Sequence, residues 1–352
     1  IHTPVTRYSN TEVLMAKRGV GPIGALGVSV VLVLSSAVAA QQSSRAAATQ
    51  DIRDAKKWTA PKTPWGDPDL MGQWNSQTST PLQRPLTGAL AGKETISEEE
   101  AESFEESNRQ AFDAAPTKGD PGTYNAFWRD AGKALTRTSL IIDPADGRIP
   151  PFTPEAEKRL AAERAERAKR GPSDSPDTYE DLGPWPRCIS RGWNGIGSWY
   201  SSNYQIFQSR GYVVVFQELI HEPRIIPLDG RPHLPGHVRL WMGDSRGRWE
   251  GDTLVVDTTN FSPKTNYQGS RETLHLIERY RRTDQDTIDY TFTVDDPHTF
   301  TRQWTVSRPM RRVTDGINVY EYACHEGNRA MVGILTGARL ADKARAGATN
   351  VK

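Results

Sequence analysis

The sequence lacks an excess of charge of either sign. Its 352 residues contain 44 lysines and arginines against 43 aspartates and glutamates, a formal net charge of +1. Proteins that bind nucleic acid carry a concentrated basic surface, so this balance predicts no nucleic-acid partner. The sequence also has no glycine-rich phosphate loop or dinucleotide fingerprint after a predicted strand. We therefore expect no bound cofactor.

Long hydrophobic runs are scarce, and a mean hydropathy of −0.63 excludes a multi-pass membrane protein. One uncharged stretch, Gly19–Ser35, follows Lys17 and Arg18 and leads to the small residues Ala37-Val38-Ala39. This order is typical of a secretory signal peptide, and the stretch is shorter than the roughly 20 apolar residues of a membrane anchor. We expect residues 1–40 to be upstream sequence and signal peptide, and the mature protein to be secreted or periplasmic without a stable membrane span.

Cysteine is the rarest residue type, with only Cys188 and Cys324. An exported protein folds in an oxidising compartment, where such a pair favours a disulfide. The bond would join the middle of the chain to its C-terminal part. Two buried free thiols are the alternative, because sequence spacing does not establish proximity.

Short segments rich in β-branched and aromatic residues, separated by turn residues, are abundant after Trp185. No helices alternate with these segments, so the pattern favours an antiparallel meander. Closure or near closure of the meander into a barrel would leave no exposed edge strands. A two-sheet sandwich is the alternative. The predicted strands are Asp69–Asn75, Ser139–Asp143, Tyr212–Gln217, Ile225–Leu228, Val238–Met242, Arg248–Trp249, Thr253–Phe261, Leu274–Arg282, Thr287–Asp295, His298–Val306 and Val319–Cys324.

Helix signals lie before and after these strands. Ser97–Glu100 is a capping box, Thr153-Pro154 begins a second helix, and Gly333–Arg345 has partly helical character. The fold class is therefore mainly β, with helices before the barrel and at the C-terminus. The expected organisation is a flexible lead-in at 41–60 and a single β-rich domain at 61–352 with a helical insertion at about 97–170.

Strand alternation identifies side chains that point into the barrel. Tyr290 and Phe292 share the apolar face of their predicted strand, and Trp304 does so on the next strand. Inward aromatic residues suit a small apolar or aromatic ligand. The candidate ligand-binding residues are Tyr290, Phe292, Trp304, Trp241 and Asn260.

Glu278 and Arg302 are charged, yet each lies on the same face of its predicted strand as the apolar residues. A lone buried charge is costly, so we expect the two to pair inside the barrel. A purely structural ion pair, a bulge that turns one residue outward and a ligand site are the three interpretations of this pattern.

Two histidines, His233 and His237, have zinc-like spacing, but the intervening Leu234-Pro235-Gly236 prevents a helix, and we predict no metal site. Loop imidazoles near a carboxylate suit acid–base chemistry, and turn capping is the alternative. The candidate catalytic residues are His233, His237, Glu278 and Arg302. Gly243–Gly247 matches G-x-S-x-G, but no helix follows it, so we interpret it as a β-turn.

Several motifs occur together along most of the chain: Thr63–Leu70, Gly72-Gln73-Trp74, Asp143–Pro151, Arg224–Pro232, Gly247–Val256 and Glu321–Cys324. Together they resemble a large family of secreted bacterial hypothetical proteins. This resemblance implies one cooperative domain and transfers no activity or catalytic residue. Gly72-x-Trp74 on a first strand, followed by a meander, also resembles lipocalin-like barrels.

The functional hypothesis is an exported β-barrel that binds a small apolar or aromatic ligand. The alternative is a cofactor-independent hydrolase, lyase or isomerase that acts at the barrel mouth with histidine and carboxylate residues. A packed structural protein of the cell envelope is a third possibility.

We expect signal-peptide cleavage near Ala39 or Ala40, because small residues precede this point. Intact-mass spectrometry of the protein from its native host measures the mature N-terminus. A mature N-terminus at Met15 would contradict the prediction.

Overall fold

The computed structural model describes residues 58–116, 127, 132–169, 176–192, 202–220, 222–314 and 319–349. The predicted signal peptide and the lead-in before Trp58 lie outside these residues.

Three α-helices and eleven β-strands form in the described part of the chain. The helices are α1 (Glu98–Asp113), α2 (Pro154–Ala168) and α3 (Arg329–Thr349). The strands are β1 (Gly72–Asn75), β2 (Ile141–Asp143), β3 (Asn203–Ser209), β4 (Tyr212–Gln217), β5 (Arg224–Pro227), β6 (Asp244–Glu250), β7 (Thr253–Thr259), β8 (His275–Arg282), β9 (Thr287–Asp295), β10 (Trp304–Ser307) and β11 (Met310–Arg312).

Nine of these strands follow one another in a single antiparallel sheet, in the order β5-β4-β3-β1-β11-β9-β8-β7-β6. The two end strands, β5 and β6, lie against each other, so the sheet nearly closes into a barrel. Strand β10 pairs with β9 on the same side as β11, along the C-terminal half of β9, and it also pairs with β2. The predicted fold class, a mainly β chain with a nearly closed barrel and helices before and after it, is confirmed.

Alternation along β9 shows why these residues form a barrel wall. Ile288, Tyr290, Phe292 and Val294 are buried, and the threonines and aspartates between them are partly exposed. Because successive side chains of a strand point to opposite faces, this pattern places one apolar face in the core and one polar face outside. The predicted bounds of this strand agree with the structure.

A glycine on β6, Gly247, lies where β6 contacts β5 and the loop after it. A Cβ atom on Gly247 would lie 2.8 Å from Cγ2 of Ile226 and 2.6 Å from Cδ2 of Leu228. Any larger residue would force these two side chains to shift, because carbon atoms do not approach that closely. The second glycine of the G-x-S-x-G motif therefore serves packing.

The predicted helix starts form for the expected reasons. Ser97 Oγ accepts a hydrogen bond from Glu100 N, and Glu100 Oε2 accepts one from Ser97 N at 2.9 Å. Thr153 Oγ1 accepts from Ala156 N, directly before Pro154. These contacts satisfy amide groups that a first helical turn leaves open.

None of the described helices combines the length and apolarity that crossing a bilayer requires.

The predicted disulfide between Cys188 and Cys324 is confirmed, and the two Cα atoms are 5.6 Å apart. Nearby, Asn328 Nδ2 donates to the carbonyl oxygen of Pro186 at 2.9 Å. The segment around Cys188 is thus fastened to the chain just before α3.

Two strand predictions are wrong, and a third holds only at its C-terminal end, because turn hydrogen bonds replace pairing there. Val238–Met242 forms no strand: Val238 N donates to Pro235 O in the preceding turn, and Leu240 makes a single isolated bridge with Phe261. Asp296 O accepts from the amide groups of Thr299 and Phe300, so the predicted strand at His298 begins only at Trp304. Val319–Cys324 forms no strand.

Strand β3 was missed because its sequence, Asn203–Ser209, is mostly polar. It is held by β1 and β4, which pair with it on both sides. Such pairing between distant segments overrides the weak local preference of a polar strand.

Replacing both cysteines, Cys188→Ser with Cys324→Ser, should lower the free energy of unfolding by about 2–5 kcal/mol. The bond closes a loop of 136 residues, and its loss gives the unfolded chain more conformational freedom. Urea denaturation followed by circular dichroism measures the change. Two thiols that react with Ellman's reagent in the native, unreduced parent would contradict the bond.

Candidate functional site

A buried carboxylate, Glu278 on β8, is the centre of a polar network inside the barrel. It forms a bidentate ion pair with Arg224 of β5, in which Arg224 Nη1 lies 3.0 Å from Glu278 Oε1. Tyr280 Oη and Tyr290 Oη donate to Glu278 Oε1 at 2.9 and 2.8 Å. We call these residues, with Ser245 and Thr258, the inner network.

Ser245 on β6 and Thr258 on β7 complete the inner network. Both hydroxyl oxygens accept hydrogen bonds from Arg224 Nη2, at 3.2 and 3.4 Å, and they hydrogen-bond to each other. Ser245 is buried within a strand, so the predicted turn at G-x-S-x-G is wrong at this residue. Its hydroxyl supports Arg224 inside the barrel.

Burial and the charge of Glu278 shift the pKa of Arg224 in opposite directions. Burial lowers its pKa, but the charge and hydrogen bonds of Glu278 outweigh burial and raise the pKa above its ordinary value. Burial, followed by the charge of Glu278, raises the pKa of Tyr280 and Tyr290 well above the ordinary value. The network therefore contains one positive charge, one negative charge and two neutral phenols.

The predicted pairing of Glu278 with Arg302 is wrong. Arg302 lies before β10 begins, so strand alternation does not apply to it. Its side chain is exposed and donates to Asp143 at 2.8 and 3.0 Å. The true partner, Arg224, was missed, although it shares the phase of the buried Ile226 on β5 and could have been found by extending that strand by one residue.

The predicted ligand-binding residues inside the barrel pack against one another. Tyr290, Phe292 and Trp304 are all buried, and the ring centroids of Tyr290 and Phe292 are 5.8 Å apart. Trp304 stacks on Tyr267 at 5.9 Å with nearly parallel rings. Tyr267 in turn lines a cavity at the barrel mouth, so Trp304 supports that cavity from behind.

This mouth cavity has a volume of about 330 Å³. One wall is the segment around the disulfide, and the other comes from the two loops that flank β6 and β7. The predicted residue Trp241 lies in the second wall, half-buried. The described lining residues are Gly183, Pro184, Trp185, Pro186, Ser190, Arg191, Gly192, Trp241, Thr265, Asn266 and Tyr267.

Fixed contacts hold the aromatic residues of the mouth cavity. The guanidinium of Arg191 lies 3.8 Å from the ring centroid of Trp185. Thr265 Oγ1 donates to the carbonyl oxygen of Trp241 at 2.9 Å. The predicted residue Asn260 lies behind this wall, where its Nδ2 donates to Leu234 O at 2.8 Å.

Imidazoles and carboxylates alternate on the outer face of the barrel. His233 contacts Asp244 Oδ2 through Nδ1 at 2.8 Å and Asp257 Oδ1 through Nε2 at 2.9 Å. His275 contacts Asp257 Oδ2 through Nε2 at 2.8 Å, and its Nδ1 is 3.4 Å from Asp295 Oδ2. We call these five residues the outer cluster.

Strand register determines which side chains of β6 to β9 face one another near the outer cluster. Asp257 lies opposite Arg246 on β6, and His275 lies opposite Asp295 on β9. The hydrogen bond from His275 lowers the pKa of Asp257, and the same bond raises the pKa of His275. Alternation places Asp257 and His275 outside, but their meeting with His233 depends on the path of a loop that the sequence pattern does not specify.

The two predicted histidines do not converge. His233 is in the outer cluster, whereas His237 is exposed on the same loop. No group of three or more histidine, cysteine, aspartate or glutamate side chains in the described residues is arranged to hold a metal ion.

Comparisons with known proteins leave the family of the chain open. No family model and no curated protein matches it. Among solved structures, a mutant of the fluorescent protein UnaG matches 32% of this chain and 72% of its own, with 14% identity and a TM-score of 0.20. A score that low supports no inference about fold or ligand, and the resemblance to secreted bacterial proteins stays a prediction.

Glu278→Ala should lower the free energy of unfolding by about 3–5 kcal/mol, because it leaves Arg224 buried without its counter-charge. Arg302→Ala, the matched control at an exposed pair, should cost under about 1 kcal/mol. The double change Glu278→Leu with Arg224→Met should cost much less than Glu278→Ala. Urea denaturation of the four proteins measures this, and equal midpoints for Glu278→Ala and the parent would contradict the buried pair.

Proposed function

We propose that this protein binds a small planar ligand, aromatic or otherwise apolar on its face, in the mouth cavity. The observation that carries the proposal is a cavity of about 330 Å³ that Trp185, Trp241 and Tyr267 line. Small-molecule sites commonly have this size, with predominantly aromatic and apolar walls and a few polar groups.

The lining chemistry favours a flat ligand over a chain-like one. Indole and phenol rings bind flat partners through offset or edge contacts, which add about 0.5–1.5 kcal/mol per pair to the burial of apolar area. Ser190 and Thr265 lie beside the rings, and their hydroxyls donate to Met242 Sδ and to the carbonyl oxygen of Trp241, so they offer a ligand acceptor oxygens only. Arg191 is the one charged side chain among the described lining residues, which favours a neutral or anionic ligand over a cationic one.

The barrel would serve as the rigid support of this site. Tyr267 rests on the fully buried Trp304, and the disulfide at Cys188 fastens the opposite wall. A site whose walls are already held loses less conformational entropy when a ligand binds. This arrangement supports binding at the mouth, with the core residues Tyr290 and Phe292 as packing behind it.

We also propose that the protein is secreted or periplasmic, as its N-terminal pattern predicts. The disulfide is consistent with an oxidising compartment, where such bonds persist.

An acid–base enzyme remains the alternative, with less support. A general base needs a lone pair, on an imidazole nitrogen or a carboxylate oxygen, that is directed at the substrate. Both nitrogens of His233 already contact carboxylates, and Glu278 is enclosed by Arg224 and two tyrosines. These contacts favour ligand binding over catalysis by these groups.

Isothermal titration calorimetry with 1-naphthol, a neutral planar probe, tests the proposed site. Trp241→Leu removes one aromatic wall and should weaken binding about tenfold or more, which corresponds to about 1.4 kcal/mol. Trp65→Leu is the matched control, because Trp65 lies outside the cavity and donates to Asp67. Cyclohexanol, which is not planar, should bind more weakly than 1-naphthol.

Two results would contradict the proposed site. One is the absence of saturable 1-naphthol binding up to about 1 mM, which corresponds to a binding free energy weaker than about −4 kcal/mol. The other is equal loss of affinity in Trp241→Leu and Trp65→Leu.

A further inference from the structure

A loop that forms part of the mouth cavity also reaches the outer cluster. This segment, residues 228–243, joins β5 to β6. It contributes Trp241 to the cavity wall and His233 to the outer cluster. Any change in how His233 is held therefore acts on the same segment that carries Trp241.

The contacts of His233 require a particular protonation state. Each ring nitrogen faces a carboxylate oxygen, Asp244 Oδ2 at 2.8 Å and Asp257 Oδ1 at 2.9 Å. A nitrogen satisfies a carboxylate only by donating a hydrogen, and an imidazole donates from both nitrogens only when it is doubly protonated. Loss of one proton turns one of these contacts into a repulsion between two lone pairs.

The charges around the cluster lead to the same conclusion. The charged and titratable groups that face it are His233 from the loop, Asp244 and Arg246 from β6, Asp257 from β7, His275 from β8 and Asp295 from β9. With both imidazoles protonated, three negative and three positive charges balance. With both neutral, a net charge of −2 remains on a partly exposed surface, which repels itself.

The pKa directions of the neighbours define the pH range. His275 has a pKa raised above its ordinary 6.5, mainly by its hydrogen bond to Asp257, so its stabilising contribution is complete below 6.5 and disappears as the pH rises through the raised value. Asp257 has a pKa below its ordinary 3.8, so its contribution is complete above 3.8 and disappears only in stronger acid. The cluster is thus intact in mild acid and weakens on the alkaline side.

Asn260 links the clamped part of the loop to the cavity wall. Its side chain donates to Leu234 O at 2.8 Å, one residue after His233. Its carbonyl oxygen accepts from Leu240 N at 3.0 Å, one residue before Trp241. These two hydrogen bonds connect the residue after His233 with the residue before Trp241 through Asn260 alone.

We propose that the outer cluster is a proton-dependent clamp on segment 228–243. The doubly protonated His233 holds the segment against Asp244 and Asp257 in mild acid, and loss of that proton loosens the segment and the Trp241 wall. The regulatory part of this inference, tighter ligand binding in acid, rests on the proposed function. The clamp itself does not.

Hydrogen–deuterium exchange of the full chain without ligand tests the clamp at about pH 5.5, in mild acid, and at about pH 8.5, on the alkaline side. After correction for intrinsic exchange rates, peptides from 228–243 should be at least about fivefold better protected at the lower pH. His233→Gln should remove this difference. His237→Gln, on the same loop but exposed, should retain it.

Equal corrected protection of the parent at both pH values would overturn the clamp, as would equal behaviour of the two variants. Titration with 1-naphthol at the same two pH values tests the regulatory part. Affinity should be severalfold higher at the lower pH in the parent and independent of pH in His233→Gln. If 1-naphthol binds at neither pH, the proposed function fails, and the exchange measurement still decides the clamp.

Discussion

The carboxylate of Glu278 is the constraint around which the barrel is organised. It lies in the interior and is compensated by Arg224 and by the hydroxyls of Tyr280 and Tyr290. A buried charge is tolerated only when its partners are held in place. These partners come from β5, β8 and β9, and Ser245 and Thr258 extend the contacts to β6 and β7. The network therefore spans the junction at which the end strands β5 and β6 approach each other.

The same network explains why the proposed site is at the mouth. Aromatic residues and the ion pair fill the interior around Glu278, and the interior face of β9 is buried along its whole length. The mouth cavity lies where the loops after β5 and β7 meet the disulfide-linked segment. Loops on a rigid frame commonly carry the functional residues of a protein. The packed barrel thus holds the loops in place, and the loops carry the proposed site.

Local patterns were sufficient for much of the fold. The alternation in Thr287–Asp295 predicted β9, the capping box at Ser97 predicted α1, and the two cysteines predicted the disulfide. Each of these signals depends on neighbouring residues or on a simple count. The partner of Glu278 was predicted wrongly, because the alternation rule was applied to Arg302, which lies in a bend before β10.

The sequence by itself determined which face of each strand is apolar, where helices start and that a charge lies inside, because strand and helix periodicities are local properties. Only the tertiary structure decided which residues meet. Arg224 and Glu278 are 54 positions apart, and His233 reaches Asp257 across a long loop. Such meetings depend on strand order, barrel closure and loop path, which arise from pairing and packing over the whole chain and have no signature in any short stretch of it.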